Sequence, residues 1–163
     1  MRGGVIARVL ASKSSRAKED DIVVSFTGWR EVAIAKEAQF EPSFPLPANA
    51  SVTDLLGVFG TTGLTAYFGL EKIGDVKPGN TVVVSGAAGA TGSIVCQIAK
   101  LKGAKVVGIA GSEDKLRWLT EELGVDVALN YKDADFRAKF KEATPNFIDV
   151  YWDNGGRPLS SET

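Results

Sequence analysis

The 163-residue sequence has no histidine and a single cysteine, Cys96. Zinc sites draw three or four ligands from Cys, His and carboxylates, so ordinary zinc chemistry is not expected. Histidine acid/base catalysis and Ser-His-Asp triads are excluded outright. Cys96 lies within the helical stretch Ile94-Val95-Cys96-Gln97-Ile98 and reads as a packed, inert thiol. Charge of one sign is also lacking: 19 basic and 20 acidic residues give a net charge of −1, which recruits neither nucleic acid nor an anionic membrane. No apolar run approaches the roughly 18 residues of a membrane span, and Met1-Arg2-Gly3-Gly4 does not open a signal peptide. A cytoplasmic location is the expectation.

What is there changes texture along the chain. Val5 to Leu10, Ile22 to Phe26 and Trp29 to Ile34 read as short strands between charged and glycine-containing turns. Phe40 to Pro47 carries three prolines and reads as a linker. Helical patterns follow at Val52 to Phe59 and Leu64 to Ile73. From Thr81 the pattern alternates: strands at Thr81 to Ser85, Lys105 to Ala110, Val127 to Leu129 and Phe147 to Trp152, and helices at Ser93 to Lys102, Glu113 to Leu123 and Asp133 to Ala143. Ile94, Val95, Ile98 and Leu101 mark the inward face of the first helix, and Leu116, Leu119 and Leu123 that of the second. Such alternation predicts an α/β fold, a Rossmann-type parallel sheet with helices on both faces.

The first strand joins its helix through Ser85-Gly86-Ala87-Ala88-Gly89-Ala90-Thr91-Gly92-Ser93. Against the dinucleotide fingerprint, Ala87, Gly89 and Gly92 take the three glycine positions. Gly89 would let backbone approach a pyrophosphate, and Gly92 would let the helix pack on the strand. The helix start then offers amides and the positive end of its dipole to phosphate. At the end of the second strand an NAD site presents an acid to the ribose. Here Gly111-Ser112-Glu113-Asp114-Lys115 leaves room, a hydroxyl and a cation, which points to the 2′-phosphate of NADP(H). Glu113 and Asp114 favour the helix dipole in this reading, and Tyr131 is placed to reach the same pocket.

Gly60-Thr61-Thr62-Gly63-Leu64-Thr65-Ala66-Tyr67, the Gly86 to Ser93 turn, Gly111 to Lys115, Asn130-Tyr131-Lys132 and Tyr151-Trp152-Asp153-Asn154 together resemble the zinc-independent medium-chain dehydrogenase/reductases. The match is to their leukotriene/prostaglandin reductase and plant double-bond (2-alkenal) reductase group. The resemblance implies that Gly89, Ala90, Thr91 and Gly92 cradle the pyrophosphate of NADP(H). Lys115 and Tyr131, with Ser112, would hold the 2′-phosphate, and Asn154 would lie near the nicotinamide. It implies NADPH-dependent reduction of the carbon-carbon double bond of α,β-unsaturated ketones and aldehydes, by hydride transfer to the β-carbon. Quinone reduction and cofactor binding without catalysis are the alternatives.

The same resemblance implies a partial GroES-like β segment and linker at 1–47, the first four strands of the Rossmann domain at 48–156, and an unrelated tail at 157–163. Family chains are about twice this long and form homo-oligomers, dimers among them. The chain therefore reads as an internal fragment, inactive as it stands, with the family's enolate-side tyrosine outside it and no catalytic residue to assign. Tyr67 reads as a packing residue, and Trp29 and Trp152 as large apolar residues packed at strand ends, with exposure the alternative for Trp152 where neighbouring strands are absent.

Overall fold

The computed structural model describes residues 3–155. The expected tail at 157–163 lies outside them. The chain divides into two compact units, Met1–Thr61 and Thr62–Thr163.

The first unit holds a three-stranded antiparallel sheet of β1 (Val5–Arg8), β2 (Ile22–Ser25) and β3 (Phe40–Pro42), with β2 central. Val5 faces Ser25 and Val24 faces Glu41 across the two ladders. A small core of Ala17, Val23 and Phe40, joined by Ala7 and Val9, sits beneath it. The third strand is not where the β-branched pattern put it. Trp29, Val32 and Ile34 are exposed, Ile34 at 98%, and pair with no strand. The paired strand is instead the start of the proline-rich stretch. Phe40 is buried there, and Pro42, which has no amide proton to donate, is tolerated because β3 is an edge. β propensity reflects fit to a half-buried face, and the 29–34 segment has no such face to fit.

Val52 to Phe59 yields only a 3-10 turn, Val52–Leu55, in which Ser51 Oγ accepts from the Thr53 amide and Asp54 Oδ2 accepts from the Ser51 amide. The next helical pattern forms α1 (Thr61–Phe68) and then widens into a π turn, Gly69–Ile73. The Trp152 ring occupies the space into which a Cβ at Gly69 would project, so bare backbone is required where that turn packs.

Beyond Thr81 the expected alternation is present: β4 (Thr81–Val84), α2 (Ala90–Leu101), β5 (Lys105–Ala110), α3 (Glu113–Glu121), β6 (Val127–Asn130), α4 (Phe136–Ala143) and β7 (Val150–Trp152). All strands are parallel, in the order β6-β5-β4-β7. Because strand side chains alternate, Val82, Val84 and Val106 face one way, into a core with Val95, Cys96 and Ala99 of α2 and Leu119 of α3. Val83, Val107 and Ile109 face the other, against Phe136, Phe140 and Ala143 of α4. The sheet is thus covered on both faces, which explains why its strands read as unbroken apolar runs.

The buried stripe of α2 is made of smaller residues than its periodicity suggested. Gly92, Val95, Cys96 and Ala99 face the sheet, while Leu101 is 87% exposed. Small side chains let the helix approach closely, and the large aliphatic residues flank the contact. Two carboxylates fix the strand starts. Asp149 accepts from the Thr81 amide at 2.7 Å. Asp126 accepts from the Val106 amide at 2.7 Å and from Lys100 Nζ at 2.6 Å.

Candidate dinucleotide site

The strand order fixes where a ligand can sit. The chain moves from β4 outward to β5 and β6, then returns to the other side of β4 as β7. In such a sheet a crevice opens beyond the carboxyl ends of the two strands at the reversal, here β4 and β7.

The glycine-rich turn leaves β4 at this point. Gly86 takes the left-handed conformation, φ +56°, which turns the chain sharply toward α2. The Ala87 amide donates to the Ile109 carbonyl at 3.0 Å, tying the turn to the end of β5, and the Ala87 side chain is fully buried. Gly89 closes the turn by donating to the Gly86 carbonyl at 2.9 Å and then acts as the N-cap of α2. Having no side chain, it caps none of the first-turn amides, which belong to Ala90, Thr91 and Gly92. Gly92 packs directly on the turn: a Cβ there would run into the Gly86 carbonyl oxygen and lie 2.9 Å from Ala87 Cα. The four turn residues expected from the sequence therefore surround one uncapped helix start.

A second group gathers at the end of β5. The Tyr131 amide donates to the Ala110 carbonyl at 3.2 Å. The Tyr131 ring then lies against Gly111, where a Cβ would sit 2.7 Å from Tyr131 Cε1. Ser112 is the N-cap of α3, yet its hydroxyl makes no capping hydrogen bond and it is exposed. Lys115 follows one turn later, exposed, with no ion-pair partner among the described residues. The two acids beside it are otherwise engaged. Asp114 pairs with Arg117, and Glu113 accepts from Asn130 Nδ2 at 3.5 Å. Lys132 Nζ stands 5.6 Å from the Tyr131 ring centroid.

Asn154 is held at the crevice itself. Its amide donates to Ser85 Oγ at 2.8 Å, its Nδ2 donates to the Ser85 carbonyl at 2.8 Å, and its Oδ1 accepts from Trp152 Nε1 at 3.1 Å. The Trp152 ring packs at its strand end as expected, half-buried against Gly69, whereas Trp29, expected to pack likewise, is exposed. Burial, first, and the neighbouring Asp153 carboxylate raise the Tyr151 phenol above its usual value, against an opposing interaction with the Ser85 side chain. Tyr67 is half-exposed and meets Phe68 edge-on at 5.3 Å. Cys96 is fully buried, and burial pushes its thiol up to about 12, which leaves it no thiolate at neutral pH.

Two features of the site escaped the linear reading. Ser85 shows its role only when β7 is known to lie beside β4, and the need for glycine at 111 only when Tyr131 is known to lie over it.

A family model described as "Zinc-binding dehydrogenase" matches residues 90–163. Prostaglandin reductase 1 of Bos taurus is 47% identical over 163 residues, covering 99% of this chain and 49% of that protein. The NADPH-dependent curcumin reductase of Escherichia coli is 41% identical over 156 residues, covering 96% of this chain and 45% of that protein. Among solved structures, CurA of Vibrio vulnificus in complex with NADPH superimposes with a TM-score of 0.87 at 38% identity, covering 99% of this chain and 47% of that one. The chain spans about half the length of the curated relatives it matches. On these likenesses, and on the Rossmann-type sheet that carries them, the chain belongs to the zinc-independent medium-chain dehydrogenase/reductases, in the group of the prostaglandin and 2-alkenal reductases.

Proposed function

We propose that this chain binds NADP(H) beyond the carboxyl ends of β4, β5 and β7, in the service of reducing the carbon-carbon double bond of α,β-unsaturated ketones and aldehydes. The observation that carries the reading is a pair of places at the strand ends where glycine lets other groups come close. One is the uncapped start of α2, where Gly92 leaves no room for a side chain. The other is the bare Gly111 platform under Tyr131, with the Ser112 hydroxyl and the Lys115 ammonium beside it. The first suits a pyrophosphate, because amide donors and the helix dipole converge on an anion. The second suits a further phosphate, because it offers a cation and hydroxyls where an NAD site would present a carboxylate.

In this reading Gly89, Ala90, Thr91 and Gly92 hold the pyrophosphate, Ser112, Lys115 and Tyr131 hold the 2′-phosphate, and Asn154 borders the nicotinamide. The bound cofactor supplies the hydride. The residues of this chain bind and orient, and none is assigned as a catalytic acid. The names of the relatives support the reading, since they include prostaglandin reductase 1, NADPH-dependent curcumin reductase and NADP(+)-dependent 2-alkenal reductase.

The test is NADPH titration followed by turnover. Saturable NADPH binding, with NADH bound at least tenfold more weakly, is the expected result. Consumption of NADPH with an enone supports the reductase, and consumption with a quinone but no enone favours quinone reduction. Binding without turnover identifies a chain that holds the cofactor and does not itself complete the catalytic site. Domain limits near residues 47 and 156, a cytoplasmic location and homodimer formation belong to the same proposal. Limited proteolysis, fractionation and sedimentation at micromolar concentration test them in turn.

A further inference from the structure

Ser85 is hydrogen-bonded through its hydroxyl, its amide and its carbonyl, and belongs to none of the phosphate-binding segments. It sits one residue beyond β4 and is almost fully buried. Its hydroxyl donates to Asp153 Oδ1 at 2.9 Å and accepts from the Asn154 amide at 2.8 Å, while its carbonyl accepts Asn154 Nδ2 at 2.8 Å. Asp153 Oδ1 in turn accepts from the Gly155 amide at 2.8 Å. The Ser85 amide is also engaged, donating to the Trp152 carbonyl at 2.9 Å. Every polar atom of this residue thus ties the end of β4 to the end of β7.

We propose that Ser85 is a positioning residue for the nicotinamide end of the cofactor site, its hydroxyl clasping the ends of β4 and β7 so that Asn154 is presented at a fixed height above the crevice. The inference rests on the NADP(H) reading and adds a division of labour to it. The Asn154 carboxamide is held at both ends, by the Ser85 carbonyl through Nδ2 and by Trp152 Nε1 through Oδ1. Among the described residues its second Nδ2 proton and the second lone pair of Oδ1 have no hydrogen-bond partner and are placed to meet a ligand, in an orientation it cannot choose for itself. Removing the hydroxyl leaves the Asn154 amide without its acceptor and lets the 153–155 segment move, while the pyrophosphate turn stays tied to β5 through Ala87 and Ile109. A residue acting only as generic core polarity would weaken both halves of the site together.

The experiment uses the full chain and two ligands: NADPH, and 2′-phospho-ADP-ribose, which carries both phosphate groups but no nicotinamide. Ser85→Ala is expected to weaken NADPH at least fivefold, to change 2′-phospho-ADP-ribose less than twofold, and to diminish the change in nicotinamide fluorescence on binding. Ser85→Thr, which keeps the hydroxyl, restores the NADPH affinity. Equal losses for both ligands, or no loss for either, overturn the proposal.

Amide hydrogen exchange without ligand provides an independent arm. The Asn154 amide should be protected in the parent chain and exchange at least tenfold faster in Ser85→Ala, with β5 and β6 unchanged. An unprotected Asn154 amide in the parent chain refutes the clasp even if NADPH binds. A protected amide in a chain that binds neither ligand leaves the clasp standing as structure and refutes both the cofactor reading and the positioning role built on it.

Discussion

Gly92→Ala sets a local preference against a close approach, and the structure decides the sign. Gly92 lies in the first turn of α2, outside the left-handed region, where alanine is ordinarily favoured over glycine by about 1 kcal/mol. The new Cβ, however, would run into the Gly86 carbonyl oxygen and stand 2.9 Å from Ala87 Cα and 3.0 Å from the Gly86 carbonyl carbon. Comfortable carbon contacts begin near 3.5 Å, so turn and helix must separate by roughly half an ångström or more. Neither partner yields easily, because the turn is fixed by Gly89 donating to Gly86 and by Ala87 donating to Ile109. Overpacking of this kind costs about 1–3 kcal/mol. Set against the helix preference, a net loss of up to about 2 kcal/mol is expected, which for a unit of roughly 100 residues lowers Tm at roughly 4–8 °C per kcal/mol. Gly89→Ala brings its Cβ within 3.1 Å of the same oxygen and should act in the same direction but less. Thermal unfolding followed by circular dichroism, with NADPH titration on each variant, provides the readout. A Gly92→Ala chain that melts higher than its parent and binds NADPH equally well would refute the packing argument.

Four further outcomes are expected. Lys115→Ala should weaken NADPH by about 10-fold or more, the range of a lost charge-assisted contact, and leave NADH nearly unchanged; calorimetric titration of both nucleotides checks this, and equal losses would contradict the 2′-phosphate assignment. Leu119→Ala, which empties a fully buried position of α3 against the sheet, should cost about 2–5 kcal/mol in urea unfolding. Burial raises the Asp126 carboxyl, but the hydrogen bonds from Lys100 and the Val106 amide and the Lys100 charge outweigh it, so its folded-state pKa lies below the usual 3.8. Its contribution is therefore full above that value and lost as pH falls through the lower folded one; the stability gap between the parent and Asp126→Asn should be constant near neutrality and shrink below about pH 4. Cys96 should resist a disulfide reagent in the native chain and react on unfolding, so its labelling rate reports opening of the α2 core.

How legible the molecule was in its sequence depends on which forces act locally. The alternation after Thr81 could be read because each strand is apolar on both faces and each helix has its own stripe. The run from Lys105 to Ala110 coincides with β5 at both ends. The glycine spacing in 86–92 could be read because close approach leaves a mark no other residue type can leave. The first unit could not be read in the same way. Trp29 to Ile34 has the composition of a strand without a partner, and Phe40 to Pro42 is a strand despite its proline, because pairing depends on a neighbour that local composition does not name. The glycine that opens the π turn at Gly69–Ile73 likewise answers to Trp152, a residue far along the chain. In the site, Lys115 and Tyr131 could be proposed from position alone, whereas Ser85 required the order of the strands.

That strand order also governs when the crevice can exist during folding. Ser85 and Asp153 are 68 residues apart, with β5, β6 and three helices between them, so their hydrogen bond closes a loop that spans most of the second unit's sheet. Loop-closure entropy grows slowly, by about 0.6 kcal/mol per doubling of length, but distant contacts are made after nearer ones have formed. β4 can find β5, and β5 can find β6, before β7 docks. The crevice is then the last part of the sheet to be completed, and a dinucleotide that needs it binds only the finished fold. Ligand concentration would then set the fraction of chains in which β7 is docked, linking the supply of cofactor to the amount of folded protein.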